Sequence, residues 1–256
     1  MYGLGYDIGS SSIKAALVDL DTKQPVAVKA YPPTEMEIQS PQPGWAEQDP
    51  EVWWENLITV THNLLEPVEQ TIIDAIVGIG ISYQMHGLVL LDKEGAVLRP
   101  SIIWCDSRAV EVGHLAEDKI SSDKCYDHML NVPGNFTGSK LRWVMDHEPD
   151  IYKRIDKLML PGDFLNFKLT GRINTTPSGL SEGILWDFKN GQPASFAFEA
   201  LGISDEMIPE IVSSFGNQGS VTTEIADQLG IPHQIPVCYR AGDQPNNAMS
   251  LSLIHI

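Results

Sequence analysis

The chain has 256 residues, enough for one large domain or two small ones with a substantial buried core. Hydrophobic residues make up 43% of the sequence and charged residues 20%, which is typical of a globular protein. Acidic residues outnumber basic ones 34 to 17, so the formal net charge is −17. This excess argues against nucleic-acid partners and against docking on an anionic membrane. The negative charge does not exclude an anionic substrate, because a nest of backbone N–H groups can bind phosphate in an acidic protein.

The cysteine pattern and the lack of targeting signals point to a cellular compartment. Cys105, Cys125 and Cys238 lie far apart, with no Cys-x-x-Cys, which indicates reduced thiols rather than a disulfide framework or a zinc knuckle. No apolar run reaches the roughly 18 residues of a membrane span. The N-terminus has no signal-peptide pattern. We therefore expect a soluble protein of the cytoplasm.

The first third of the chain predicts a small meander followed by a helix. Short apolar runs separated by tight turns predict antiparallel strands over residues 3–9, 12–20 and 25–31. Asp49 followed by Pro50 is a helix-start signal, and the apolar spacing predicts a helix over residues 51–65.

The remaining elements alternate between strands and helices, which indicates an α/β layered domain. Residues 76–82 are apolar throughout, as in a strand buried on both faces. Further strands are predicted over 87–92, 97–104, 157–160 and 236–240, and further helices over 107–120, 139–147, 163–169, 203–211 and 222–229.

The segment from Asp7 to Ser12 joins two predicted strands and has the composition of a phosphate cradle. Gly9 permits a tight turn with exposed N–H groups, and three serines add hydroxyl donors. Asp7, at the strand end, could hold Mg²⁺ directly or through water. The alternative is an ordinary hairpin with a solvated acid. The segment is neither a Walker loop nor a dinucleotide fingerprint, because the lysine and the glycine spacing of those motifs are missing.

Polar residues also follow three other predicted strands. Gln84 and His86 come after the apolar run 76–82 and could hydrogen-bond hydroxyls in a cleft, or His86 could be a satisfied loop histidine. Trp104 beside Asp106 resembles a sugar-binding wall, with a core tryptophan and a helix-capping aspartate as the alternative. Asp243 comes after the predicted strand 236–240, where it could act as a general base. The alternative is an ordinary acidic residue in a turn.

Seven motifs together make the chain similar to the FGGY carbohydrate kinases. They occur in the family's order and spacing over residues 1 to about 250, and no single one is decisive. They are DIGSSSIK at 7–14, GWAEQDP at 44–50, QMHG at 84–87, LRP with WCDSR at 98–108, KLRWV at 140–144, LPGDFL at 160–165 and GD at 242–243.

The resemblance implies a fold and an activity. The fold is α/β, an actin/hexokinase-like (ribonuclease H-like) ATPase lobe with a mixed β-sheet flanked by helices, and the whole enzyme has two such lobes. The activity is ATP-dependent phosphorylation of the 5-hydroxyl of D-xylulose. Met85 and His86 stand where glycerol kinases carry an Arg-Glu pair, which favours a ketopentose over glycerol. Another ketose or polyol, such as ribulose or glycerol, and a non-catalytic sugar-binding module are the alternatives.

The resemblance also implies residue roles and partners. Asp243 would be the catalytic base, and Asp7 would help to hold the Mg²⁺ that accompanies ATP. The phosphate or ATP contacts would come from Gly9, Ser10, Ser11, Ser12 and Lys14, and the substrate contacts from Gln84, Met85, His86, Trp104, Asp106, Asn135 and Gln244. The partners would be a small-molecule ketose and ATP, with no nucleic acid and no membrane, and a homodimer is an option for the full-length form.

The last six residues suggest an artificial end. Residues 251–256 (LSLIHI) match an in-frame translation of a transposase sequencing adapter. We therefore expect residues 1–250 to be the sugar-binding N-terminal domain, with the C-terminal nucleotide-binding domain missing from this chain. Such a fragment is expected to be inactive alone.

Overall fold

The computed structural model describes residues 1–248 and is built around one five-stranded mixed sheet in the order β13-β5-β1-β2-β3. The strands are β1 (Tyr2–Ile8), β2 (Ile13–Asp19), β3 (Gln24–Tyr31), β4 (Glu47–Gln48), β5 (Ile76–Tyr83), β6 (Val89–Leu91), β7 (Ser101–Ile102), β8 (Lys157–Met159), β9 (Asn174–Thr175), β10 (Trp186–Asp187), β11 (Gln192–Pro193), β12 (Glu210–Ile211) and β13 (Val237–Gly242). The helices are α1 (Pro50–Leu65), α2 (Gln70–Ile73), α3 (Val110–Ile120), α4 (Ser122–Met129), α5 (Thr137–His147), α6 (Pro149–Tyr152), α7 (Pro161–Thr170), α8 (Pro177–Glu182), α9 (Ser195–Leu201) and α10 (Thr223–Leu229).

The sheet combines an antiparallel meander with two parallel strands. Strands β1, β2 and β3 pair antiparallel in chain order, which confirms the predicted meander. Strand β5 pairs parallel to β1, and β13 pairs parallel to β5. Four two-residue or three-residue ribbons, β10-β11, β12-β9, β4-β7 and β6-β8, lie outside this sheet.

Helix α1 packs against the meander and begins where the sequence predicts. The Asp49 side chain accepts a hydrogen bond from the Glu51 N–H, and Pro50 occupies the first turn, where no N–H is needed. Trp53, Leu57 and the other apolar side chains of its inner face are buried. Burying each large apolar side chain stabilises the fold by about 1.5–3 kcal/mol, so α1 fixes one face of the sheet.

Three predicted elements differ from the structure. Strand β5 alternates between buried and partly buried residues rather than being fully buried on both faces, and Val77 is 43% exposed. Residues 203–211 are not a helix: they form a 3₁₀ turn at Asp205–Met207 and the short strand β12. Pro209 has no N–H to continue a helix, which explains the break. The strand predicted over 97–104 is reduced to β7, because Pro100 precedes it.

The part of the chain that the structure describes contains no helix long and apolar enough to cross a membrane.

Candidate active site

The carboxyl ends of three neighbouring parallel strands form the site. In the register of the sheet, Asp7 of β1 and Ala241 of β13 both lie opposite Ser82 of β5. Chain segments that follow these strands must therefore emerge at one edge of the sheet. They line a cleft of about 570 Å³, whose walls are Asp7, Gly9, Ser10, Ser11, Lys14, Ser82, Gln84, Met85, His86, Trp104, Asp243, Gln244 and Asn247.

The loop between β1 and β2 is a tight turn whose carbonyl groups accept hydrogen bonds from neighbouring parts of the chain. The Gly9 N–H donates to the Ser12 carbonyl at 3.1 Å, and the Met36 N–H donates to the Ser11 carbonyl at 2.9 Å. The Gln48 side chain donates to the Ser10 carbonyl at 2.7 Å. The N–H groups of Ser10 and Ser11 donate no hydrogen bond within residues 1–248. They are available to an anion in the cleft, as a phosphate cradle requires.

Asp7 and Lys14 form an ion pair in the lining of the cleft. They are opposite each other in the β1–β2 ladder, and Lys14 Nζ lies 3.2 Å from Asp7 Oδ2. Both side chains remain partly exposed, at 59% for Lys14 and 40% for Asp7. An exposed pair of this kind adds little to stability. Each group can therefore exchange its partner for a ligand at small cost.

Trp104 forms an exposed apolar wall. It follows β7, and the residue is 54% exposed. Its indole Nε1–H donates to Ser10 Oγ at 3.2 Å, which ties the wall to the β1–β2 loop. An exposed indole face beside polar groups suits the apolar face of a sugar.

Gln84 has an unused hydrogen-bond acceptor at the cleft. Its side chain is 4% exposed, and its Nε2 donates to Gln48 Oε1 at 3.5 Å. Its Oε1 is buried and has no partner among the described residues. An unpaired buried oxygen is costly, and Gln84 lines the cleft.

His86 is held in a turn with an unusual backbone. Its φ is +62°, in the left-handed region that side chains rarely adopt. Its N–H donates to Glu182 Oε2 at 3.3 Å, and its carbonyl accepts from Lys140 Nζ at 2.8 Å. Desolvation lowers the pKa of His86 to about 4, and the nearby Lys140 charge adds to this while a hydrogen bond to Glu182 opposes it. The ring is therefore neutral at neutral pH.

Lys140 joins two walls of the cleft from behind. Its Nζ donates to the carbonyls of His86 and Ile103, at 2.8 and 2.9 Å, so it links the His86 turn to the residue before Trp104. Its side chain is fully buried, and desolvation lowers its pKa to about 7.

Asp243 begins a helical segment, residues 243–248, directly after β13. The preceding Gly242 is closely packed: a Cβ there would lie 2.3 Å from Met85 Cγ and 3.2 Å from Glu182 Oε1. Any larger residue at this position would have to displace the Met85 side chain. Gly242 thus allows the strand end to approach Met85 and delivers Asp243 to the cleft.

Three predicted site residues lie outside the cleft wall. The Asp106 carboxylate is buried and accepts from the Ala46 N–H at 2.7 Å and from Arg108 at 2.6–2.9 Å, so it organises the chain behind Trp104. Asn135 donates to the Asp106 carbonyl and accepts from the Ala109 N–H at 3.3 Å. Ser12 lies at the β2 side of its turn. Direct ligand contacts by these three residues stay a prediction.

The remaining predicted residues all come together in the cleft, along with two that the sequence did not suggest. Ser82 is placed there by its register opposite Asp7, and Asn247 lies four residues after Asp243 in the helical segment. The register of parallel strands cannot be read from a single sequence. A helix beginning at Asp243 would have pointed to Asn247, because residues four apart share a helix face.

Comparison with known proteins assigns the family. Residues 2–250 match the profile of the N-terminal domain of the FGGY family of carbohydrate kinases, and the chain belongs to this family. It is 34% identical over 252 residues to a xylulose kinase of Staphylococcus xylosus and 30% identical over 253 residues to one of Escherichia coli K12. These alignments cover 96% and 98% of this chain but 49% and 50% of the relatives.

A solved structure agrees with the fold. The crystal structure of xylulose kinase from Rhodospirillum rubrum matches with a TM-score of 0.89 at 30% identity, over 98% of this chain and 50% of that chain. The predicted fold, an actin/hexokinase-like lobe with a mixed sheet flanked by helices, is confirmed. The chain spans about half the length of the relatives that it matches.

Proposed function

We propose that this chain is the sugar-binding half of an ATP-dependent kinase that converts D-xylulose to D-xylulose 5-phosphate. The observation that carries the proposal is the convergence of two carboxylates, Asp7 and Asp243, with Gln84, His86 and Trp104 around one cleft. A sugar needs an apolar wall and hydroxyl partners, and phosphoryl transfer needs a base and a site for a metal–phosphate group. The similarity to xylulose kinases favours a ketopentose as the acceptor.

In this proposal Asp243 accepts the proton of the sugar 5-hydroxyl. The hydroxyl oxygen forms a bond to the γ-phosphorus of ATP, the bond from that phosphorus to the β–γ bridging oxygen breaks, and ADP leaves. Phosphoryl transfer depends mainly on positioning and charge neutralisation. The β1–β2 loop would contribute free N–H groups and Lys14 a positive charge toward the phosphates.

The residues of the cleft fit a magnesium ion that arrives with the nucleotide. Among residues 1–248 no group of three or more His, Cys, Asp or Glu side chains could enclose a metal ion. Mg²⁺ commonly uses one or two carboxylates together with substrate phosphates and water. Asp7, partly exposed in the lining of the cleft, offers such a carboxylate. The bound ion would neutralise charge on the transferring phosphoryl group.

The division of the whole protein into domains is part of this proposal. Residues 1–250 would be the N-terminal domain, and a second lobe, in the half of the relatives that this chain does not match, would supply most adenosine contacts. Lobe closure would exclude water from the phosphoryl group. The predicted artificial tail, residues 251–256, lies outside the described residues. The cytoplasmic location, the homodimer, the inactivity of the chain alone and the absence of nucleic-acid or membrane partners stay predictions.

Calorimetry of this chain with D-xylulose, in the presence and absence of Mg-ATP, tests the proposal. We expect D-xylulose to bind and glycerol to bind more weakly. Trp104→Ala should weaken D-xylulose binding, whereas Phe188→Ala, at a similarly exposed aromatic residue outside the cleft, should not. Absence of D-xylulose binding would contradict the proposal. Tight sugar binding that ignores nucleotide, also in the full-length protein, would favour a non-catalytic sugar-binding module.

A further inference from the structure

A buried carboxylate lies directly behind the sugar-facing turn and has no part in the proposed chemistry. Glu182 is the last residue of α8 and is 4% exposed. Its Oε1 accepts from the Tyr83 hydroxyl at 2.6 Å and its Oε2 from the His86 N–H at 3.3 Å. Burying a carboxylate is expensive even when it is hydrogen-bonded. Its position under the cleft suggests that it serves more than packing.

The carboxylate stabilises a backbone conformation that would otherwise be unfavourable. A left-handed conformation at a residue such as His86 is unfavourable and persists only where the surroundings hold it. Glu182 binds the N–H of His86, and Lys140 binds its carbonyl. Both peptide groups flanking the His86 side chain are therefore fixed by buried side chains.

The main chain of Glu182 fixes the imidazole ring as well. Its carbonyl is at the end of α8, where helix carbonyls have no partner within the helix. It lies 2.8 Å from His86 Nδ1. A carbonyl can only accept, so Nδ1 carries the proton and neutral His86 keeps the lone pair on Nε2. The ring also packs edge-on against Phe136, with 4.4 Å between ring centroids.

We propose that Glu182 is a positioning residue that fixes the tautomer and orientation of His86, so that Nε2 accepts a hydrogen bond from a sugar hydroxyl. The sugar as ligand rests on the proposed function, whereas the tautomer does not. The neutral ring, with its pKa at about 4, keeps Nε2 free of a proton at neutral pH. Within residues 1–248 Nε2 makes no hydrogen bond, and His86 lines the cleft.

Nitrogen-15 NMR of the histidine side chains in this chain tests the positioning directly. We expect His86, assigned by its loss in His86→Asn, to be in the Nδ1–H form at neutral pH. Glu182→Ala keeps the carbonyl that accepts from Nδ1 but removes the carboxylate that holds the His86 N–H. The turn should then move away from that carbonyl, the population of the Nε2–H form that free histidine favours should rise, and D-xylulose binding should weaken about tenfold. Glu182→Gln should restore both properties, because its amide oxygen can accept from His86 while its NH₂ donates to Tyr83.

Tyr6→Phe is the matched control for general loss of a buried hydrogen bond. Tyr6 belongs to β1, and its hydroxyl lies 2.8 Å from Thr61 Oγ1. Neither residue lines the cleft. This variant should be less stable and keep both the tautomer and the sugar affinity.

An Nε2–H form or an imidazolium at His86 in the unmodified chain would overturn the proposal, even if Glu182→Ala does not fold. An unchanged tautomer in Glu182→Ala would also overturn it. An Nδ1–H form that depends on Glu182, in a chain that does not bind D-xylulose, would support the positioning and refute the proposed substrate.

Discussion

Acidification is expected to destabilise the chain through His86. The unfolded chain takes up a proton at a pKa near the ordinary value of 6.5, whereas the folded chain keeps His86 neutral down to about 4. Between these values the unfolded state binds more protons, so the free energy of unfolding falls as the pH falls. Integrating between about pH 7.5 and about pH 5 gives a loss of about 2 kcal/mol from this group alone. Lys140 and Glu182 are the titratable residues whose side chains hydrogen-bond the main chain of His86.

Urea unfolding at a series of pH values, followed by tryptophan fluorescence, measures this effect. His86→Asn removes the titrating ring, and asparagine tolerates the left-handed backbone better than most residues. The difference between the unmodified chain and this variant should shrink by about 2 kcal/mol over the stated range. His114→Asn, at an exposed histidine outside the cleft, should leave the pH dependence unchanged. An unchanged pH dependence in His86→Asn would refute the burial argument.

Two further substitutions test the packing behind the cleft. Gly162→Ala would place a Cβ 2.1 Å from the Tyr83 ring and should destabilise the fold by about 1–3 kcal/mol. Gly80→Ala, where the added Cβ would have no atom within 4 Å, should destabilise it much less. The urea midpoints of the two variants measure the difference. Arg240→Met would leave the buried Asp163 carboxylate without the guanidinium that lies 2.8 Å away. It should lower the free energy of unfolding by about 3–5 kcal/mol in the same assay. A loss below about 1 kcal/mol would contradict the burial of this ion pair.

Local signals in the sequence predicted the elements nearest the N-terminus. The turns between strands specified the β1–β2–β3 meander, and Asp49 with Pro50 specified the start of α1. Residues 203–211 were wrongly predicted as a helix because their apolar spacing outweighed the effect of Pro209. Helices α4 and α9 were missed, since each is short and depends on tertiary packing rather than on its own periodicity.

The sequence predicted the site residues that follow or end strands and line the cleft. It did not predict which of the neighbouring side chains are buried in the protein instead. Gln84, His86 and Asp243 each follow a predicted strand, Trp104 ends one, and all four line the cleft. Asp106 follows the strand that Trp104 ends but points to Arg108 and the Ala46 N–H, a difference that the sequence does not encode locally. Glu182 comes from a helix that was not predicted, and only the tertiary structure brings it to His86.

The central claim is that Asp243 accepts the proton of a ketose hydroxyl during phosphoryl transfer from ATP. The most direct test is the kcat for D-xylulose phosphorylation by the full-length protein of which, on this proposal, the chain is the first half. Asp243→Asn should lower kcat by about 10²–10⁴-fold while D-xylulose still binds. Asp118→Asn, at an exposed aspartate of α3, should leave kcat unchanged. Near-normal kcat in Asp243→Asn would contradict the assignment of the base.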